Sequence, residues 1–176
     1  MSQIPLFQTE DTVPTELGEL AYTGCDIYDD PRLGVKLRYD RGMTKADVYL
    51  YDLGINPISE DVRSEQVMEF FQQSCNDILV AAERGIYNDL ETRTSQYLHI
   101  PDNSPDPMYL WAAFYYRQAP APGVVDEGYR YSHILIRTDG GYINKVRYTY
   151  PERVKNDASR DMIQFLLDWD AALRGR

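Results

Sequence analysis

Between residues 35 and 53 apolar and polar side chains alternate. Val35, Leu37 and Tyr39 are interleaved with Lys36, Arg38 and Asp40, and a second run from Ala46 to Leu53 places Val48 and Leu50 on one face. A period of two is that of a half-buried strand, and Arg41-Gly42 between the runs predicts a hairpin. An earlier strand is expected over Leu20 to Tyr28. It is separated from the hairpin by Asp29-Asp30-Pro31-Arg32-Leu33-Gly34, in which Pro presets an early turn position and Gly tolerates the closing one.

From Ser59 to Arg84 the period lengthens. Val67, Phe70, Phe71, Ile78 and Leu79 recur at three- and four-residue steps, with Ser74 and Cys75 in the same stripe, which predicts an amphipathic helix. Ser59 or Ser64 can cap its start, and Gly85 can end it. A second helix is expected over Ser159 to Leu173, where Met162, Ile163, Leu166, Leu167, Trp169 and Leu173 form the stripe and Asn156, Asp157 or Ser159 the cap. Between the helices lie a short strand near Ser95 to Ile100 and a loop with three prolines over 101–107. A strand from Met108 to Arg117 follows, apolar on both faces and therefore interior to a sheet. Tyr129 to Arg137 and Tyr142 to Tyr150 flank Thr138-Asp139-Gly140-Gly141, a strong hairpin signal.

The order β-β-β-α-β-β-β-β-α predicts an α+β fold, a mainly antiparallel sheet with a long central helix and a C-terminal helix packed against it. Residues 1–18, with Pro5 and Pro14, read as an irregular N-terminal arm and 19–176 as a single domain. Phe70, Phe71, Ile78, Trp111, Phe114, Leu166 and Trp169 are expected to share one core.

Charge narrows the partners. A formal net charge of -10 disfavours nucleic acid and anionic membrane surfaces, since both are held through Lys and Arg, and it is compatible with a basic protein partner. Fifteen tyrosines against five phenylalanines suit half-buried strands, whose rings pack while their hydroxyls reach water or a ligand. No run of about 20 apolar residues predicts a membrane span. The opening residues lack the basic and apolar regions of a signal peptide, so the chain reads as cytoplasmic as it stands and periplasmic if a signal was removed. Cys25 and Cys75 have no metal-ligand spacing and form either two free thiols or one disulfide.

Catalytic signatures are absent: there is no phosphate-binding glycine loop, nucleophile elbow or zinc-protease helix. Asp102, Ser104 and Asp106 have the opening spacing of a calcium loop, but Pro105 and Pro107 stand where its glycine turn is needed. No cofactor, metal or catalytic residue is assigned. His99 and His133 are the only histidines, and either could meet Cys75 or a serine to form a nucleophile and base pair, the chemistry of a small hydrolase or transferase. A carboxylate site is the other enzymatic alternative.

Alternation singles out one constellation. With Val35, Leu37 and Tyr39 inward, Lys36 and Arg38 face outward; with Val146 inward, Lys145 and Arg147 do likewise, and Arg137 is expected beside them across the hairpin. Tyr49 or Tyr148 would border this row, which predicts a basic, tyrosine-rimmed patch on an acidic protein. Alternatively, neighbours such as Asp40 and Asp47 neutralise it.

The segments DPRLGVKLRY, ADVYLYDLG and VRYTYP resemble those of a group of small bacterial proteins of uncharacterised function, often exported, and the element order is similar to PsbP-like α/β/α domains. That resemblance implies a binding module. The expected function is accordingly a non-enzymatic binding or interaction protein, an envelope accessory protein or a neutraliser of a basic effector.

Overall fold

The computed structural model describes residues 4–123 and 128–175; residues 1–3 of the expected arm and residues 124–127 and 176 of the expected domain lie outside them. Eight strands, β1 (Glu16–Leu17), β2 (Leu20–Ile27), β3 (Val35–Arg41), β4 (Thr44–Tyr51), β5 (Tyr87–Leu98), β6 (Tyr109–Gln118), β7 (Tyr129–Asp139) and β8 (Tyr142–Pro151), join two helices, α1 (Glu65–Glu83) and α2 (Lys155–Arg174). All eight strands form one sheet in the order β1-β2-β3-β4-β8-β7-β6-β5, and every pairing is antiparallel. Two four-strand meanders are therefore fused where β4 pairs with β8. The chain leaves β4, crosses the second meander as α1, and re-enters at the far edge as β5.

The expected α+β class, with a long central helix as its organising element and a PsbP-like α/β/α layering, is overturned. The sheet dominates and curls into a half-barrel, with the helices as lesser additions. The reason is physical: strand twist accumulates across eight hydrogen-bonded neighbours, and a sheet this wide curls on itself. Helical periodicity in the sequence carries no information on how many strands will share one sheet.

Adjacent residues along the central strands belong to different cores. Leu135, Val146, Tyr148 and Tyr150 pack with Leu37, Val48 and the α2 residues Met162, Phe165, Leu166 and Trp169. Ile134, Ile136 and Ile143 pack with Leu110, Phe114 and the α1 residues Val67, Phe70, Phe71 and Ile78. Because successive strand side chains point to opposite faces, α1 and α2 lie on opposite faces of the sheet. The single expected core is thus two: Phe70, Phe71, Ile78 and Phe114 belong to one, and Leu166 and Trp169, with Trp111 at its border, to the other. Ile4, Val13 and Leu17, from the segment expected to be an irregular arm, are buried in the α2 core.

Local signals act as their chemistry demands, with three exceptions. Ser64, not Ser59, caps α1 by accepting from the Val67 N–H. At its other end the Gly85 and Ile86 N–H groups close on the Ala82 and Ala81 carbonyls, as a Schellman stop does. Leu79, expected in the stripe, is exposed. The expected caps of α2 are not used: the helix winds directly out of a 3-10 turn at Glu152–Val154 and has no side-chain cap. Strand β5 begins at Tyr87, well before the expected Ser95, and is mostly exposed with two register shifts. An exposed edge strand has no buried face to impose alternation, so its first half is silent in the pattern. Gly34, with φ 61, lets the chain pass β4 closely; a Cβ there would stand 1.8 Å from the Leu50 carbonyl oxygen. Among the described residues no helix is long and apolar enough to cross a membrane.

Candidate binding face

Residues directly opposite in antiparallel strands share a face. On the α1 face one rung of the sheet reads Gly24, Arg38, Asp47, Arg147, Ile134, and the next Asp26, Lys36, Tyr49, Lys145, Ile136. Helix α1 packs over the isoleucine end of both rungs. The β2-β3-β4-β8 end stays open, and there Lys36, Arg38, Lys145 and Arg147 stand with Asp26 and Asp47 in the two rungs and with Asp77 of α1 beside Lys145. A locally basic surface thus sits on an acidic protein.

Of the residues expected in this row, Lys36, Arg38, Tyr49, Lys145 and Arg147 are brought together; Arg137 and Tyr148 are not. The tight turn pairs Asp139 with Tyr142, so Arg137 lies opposite Asn144 and both point to the α2 face. There Arg137 donates to Asp170 at 2.7 Å and to Asp139 at 3.1 Å, nearly out of water. Tyr148, on the same face, donates to Asp161 at 2.6 Å.

The cations of the open face are held differently. Lys36 and Arg38 both pair with Asp26, at 2.9 and 2.8 Å, rather than with Asp40 or Asp47. The Lys36 hydrogen bond, with Arg38 beside it, holds the Asp26 carboxyl below the usual carboxylate range. Gly24 makes the Arg38 contact feasible: it sits at a register shift with φ 146, and a Cβ would lie 2.8 Å from Arg38 Nη2. Asp47 is half-buried, and burial pushes its carboxyl up despite the flanking cations.

Arg147 reaches beneath α1. It donates through Nε to Ser132 Oγ at 3.1 Å and through Nη2 to the hydroxyls of Tyr87 and Tyr116 at 2.7 and 3.4 Å. It is as much a strut of the fold as a surface charge, and replacing it would take a donor away from the buried Tyr116 and Ser132 hydroxyls. Lys145 makes no ion pair among the described residues. Its Nζ stands 4.5 Å from the Tyr49 ring centre and 5.7 Å from that of Tyr51. Burial holds this ammonium below the usual lysine range, Asp77 opposing the effect and Arg147 adding to it. The tyrosines stay protonated, Tyr51 being pushed up to about 12 by burial.

The residues considered for nucleophilic chemistry are kept apart. Cys25 borders the α2 core and Cys75 the α1 core, both as free thiols. Burial pushes the Cys75 thiol up to about 11, which keeps it protonated and a poor nucleophile. His133 lies on the α2 face, across the sheet from Cys75, between Trp111 and Tyr150. His99 donates through Nδ1 to the Ser104 carbonyl at 2.8 Å, bracing the loop that follows β5.

Sequence reasoning found the cations of this face but missed Asp26 and the tyrosines Tyr51, Tyr87 and Tyr116. Tyr51 continues the Tyr49 alternation by two residues and was open to detection on that ground. Tyr87 and Tyr116 arrive through pairing and helix packing, which no local pattern reports. No protein-family model matches the chain, and no curated protein or solved structure matches it.

Proposed function

We propose that this protein is a non-enzymatic binding protein and that a protein partner docks an acidic segment on the open α1 face of the sheet. The observation that supports this most is Lys145: a half-buried ammonium beside two tyrosine rings, with no carboxylate in ion-pair contact among the described residues. An unpaired charge withdrawn from water is costly, and an incoming carboxylate would supply the missing partner. Strands hold Lys36, Tyr49 and Lys145 in fixed positions, which suits recognition. The formal net charge of -10 leaves the surface as a whole unfavourable to an acidic segment, so a cluster of cations gives this face the advantage.

Lys145→Met is the informative variant, because it removes the charge while keeping most of the side chain and leaves the struts of Arg147 in place. Binding of a fluorescein-labelled peptide alternating Glu and Leu, followed by anisotropy, is expected to weaken by about 10–100-fold in the variant, the worth of a charge-assisted contact. A matching peptide of Lys and Leu is expected to bind more weakly than the acidic one to the native protein. Equal affinity of native and Lys145→Met protein for the acidic peptide, or a preference for the basic one, would overturn the assignment.

A further inference from the structure

We infer that the cleft between β4 and α1, beside Lys145, is a pocket for a small apolar monocarboxylate, an aliphatic chain or aromatic ring bearing a single carboxylate. The inference rests on the reading of Lys145 as a carboxylate-recognising cation and adds a ligand that the row of charges alone does not require. The cleft has a volume of about 360 Å³, within the range of small-molecule sites. Tyr28, Leu33, Leu53 and Phe70 supply its apolar lining, and among the described residues Lys145 is its one cation.

Three observations define the ligand. The Lys145 ammonium has no ion pair among the described residues, so a carboxylate meets an unfilled demand. Asp77, on α1, lines the same cleft and disfavours a second negative charge, which makes the ligand a monoanion. The apolar body follows from the mouth, where Leu33 and Leu53 are 45% and 41% exposed; covering them removes aliphatic surface from water. Leu53 is also held in a strained conformation. Its φ is 55, in the left-handed region that a branched, bulky residue avoids, and its N–H is tied to the Arg32 carbonyl at 2.9 Å. The fold thus spends local strain to keep Leu53 at the cleft, and strain of this kind concentrates at ligand sites.

Isothermal calorimetry with octanoate, octylamine and acetate, each below its aggregation concentration, tests the inference on the intact protein. Octanoate is expected to bind saturably at one site, with octylamine and acetate at least about ten-fold weaker, one carrying the opposite charge and the other lacking the body. Gln73 is exposed on α1 at the lining of the cleft, so Gln73→Trp fills the space without touching a core and is expected to abolish octanoate binding. Octanoate binding equally well to native and Gln73→Trp protein would overturn the location. Failure of octanoate to bind the native protein while the Glu/Leu peptide binds would overturn the pocket and leave the reading of the face intact. Octanoate binding lost in Lys145→Met, with no binding of the peptide to native protein, would support the pocket and overturn the partner reading.

Discussion

Replacing Phe71 with Ala is expected to lower the free energy of unfolding by about 3–5 kcal/mol. Phe71 is 5% exposed and lies in the middle of the buried stripe of α1, in the core that also holds Phe114, Ile134 and Ile136. Its ring is enclosed between a helix and a rigid sheet, so neither wall can collapse fully into the space left behind. The loss is a large fraction of the roughly 5–15 kcal/mol by which domains are stable. It also reaches the candidate site, because the neighbouring Phe70 lines the cleft. Urea denaturation of the two proteins measures the difference. A change below about 1 kcal/mol would mean that the helix does not seal this face.

The second large effect is a dependence on acid that belongs to His133. The imidazole is 5% exposed, and burial lowers its pKa to about 4. The Trp111 Nε1–H donates to its Nδ1 at 3.0 Å, so its Nε2–H donates to the Tyr150 hydroxyl at 2.9 Å. A proton on Nδ1 would face a donor and break that bond. In the unfolded chain the ring takes up its proton near pH 6.5, and in the fold only near pH 4. Between those values the unfolded state carries the extra proton, and stability falls as pH drops. Each tenfold difference in proton affinity is worth about 1.4 kcal/mol, giving a loss of roughly 2–4 kcal/mol from this residue across the window. His133→Gln keeps an acceptor for Trp111 and a donor for Tyr150 but cannot titrate. Stability of the native protein relative to this variant should therefore decline from pH 6.5 to pH 4. A difference that stays constant over that range would mean that His133 is accessible to protons in the fold.

The residues of the open face differ in how far the sequence exposed them. Lys36, Arg38 and Lys145 alternate with Val35, Leu37 and Val146, which are buried on the α2 face, and one buried face is enough to orient the other. Arg137 was misplaced because β7 is buried on both faces from Ser132 to Thr138, so alternation is erased there. Counting from the turn would have corrected it: Gly140 and Gly141 form the loop, and pairing outward from Asp139 and Tyr142 puts Arg137 opposite Asn144. The same double burial concealed the division into two cores, since Ile134 and Leu135 read as one apolar run. Asp26 was not accessible by counting, because the register of β2 shifts between Tyr22 and Gly24. The width of the sheet was hidden for a different reason. The pairing of β4 with β8 joins residues about a hundred positions apart, and long-range pairing leaves no local signature.

In the proposed function the open face around Lys145 receives a carboxylate. This is tested most directly by following the titration of the Lys145 side chain by NMR, with its signals assigned through Lys145→Met. In the free protein Lys145 should lose its proton below the range of the other lysines, since burial disfavours the ammonium. Saturation with the Glu/Leu peptide should raise its pKa, because a carboxylate beside the ammonium favours the charged form. A Lys145 that titrates with the other lysines, and does so unchanged when the peptide is added, would mean that no carboxylate docks at this face.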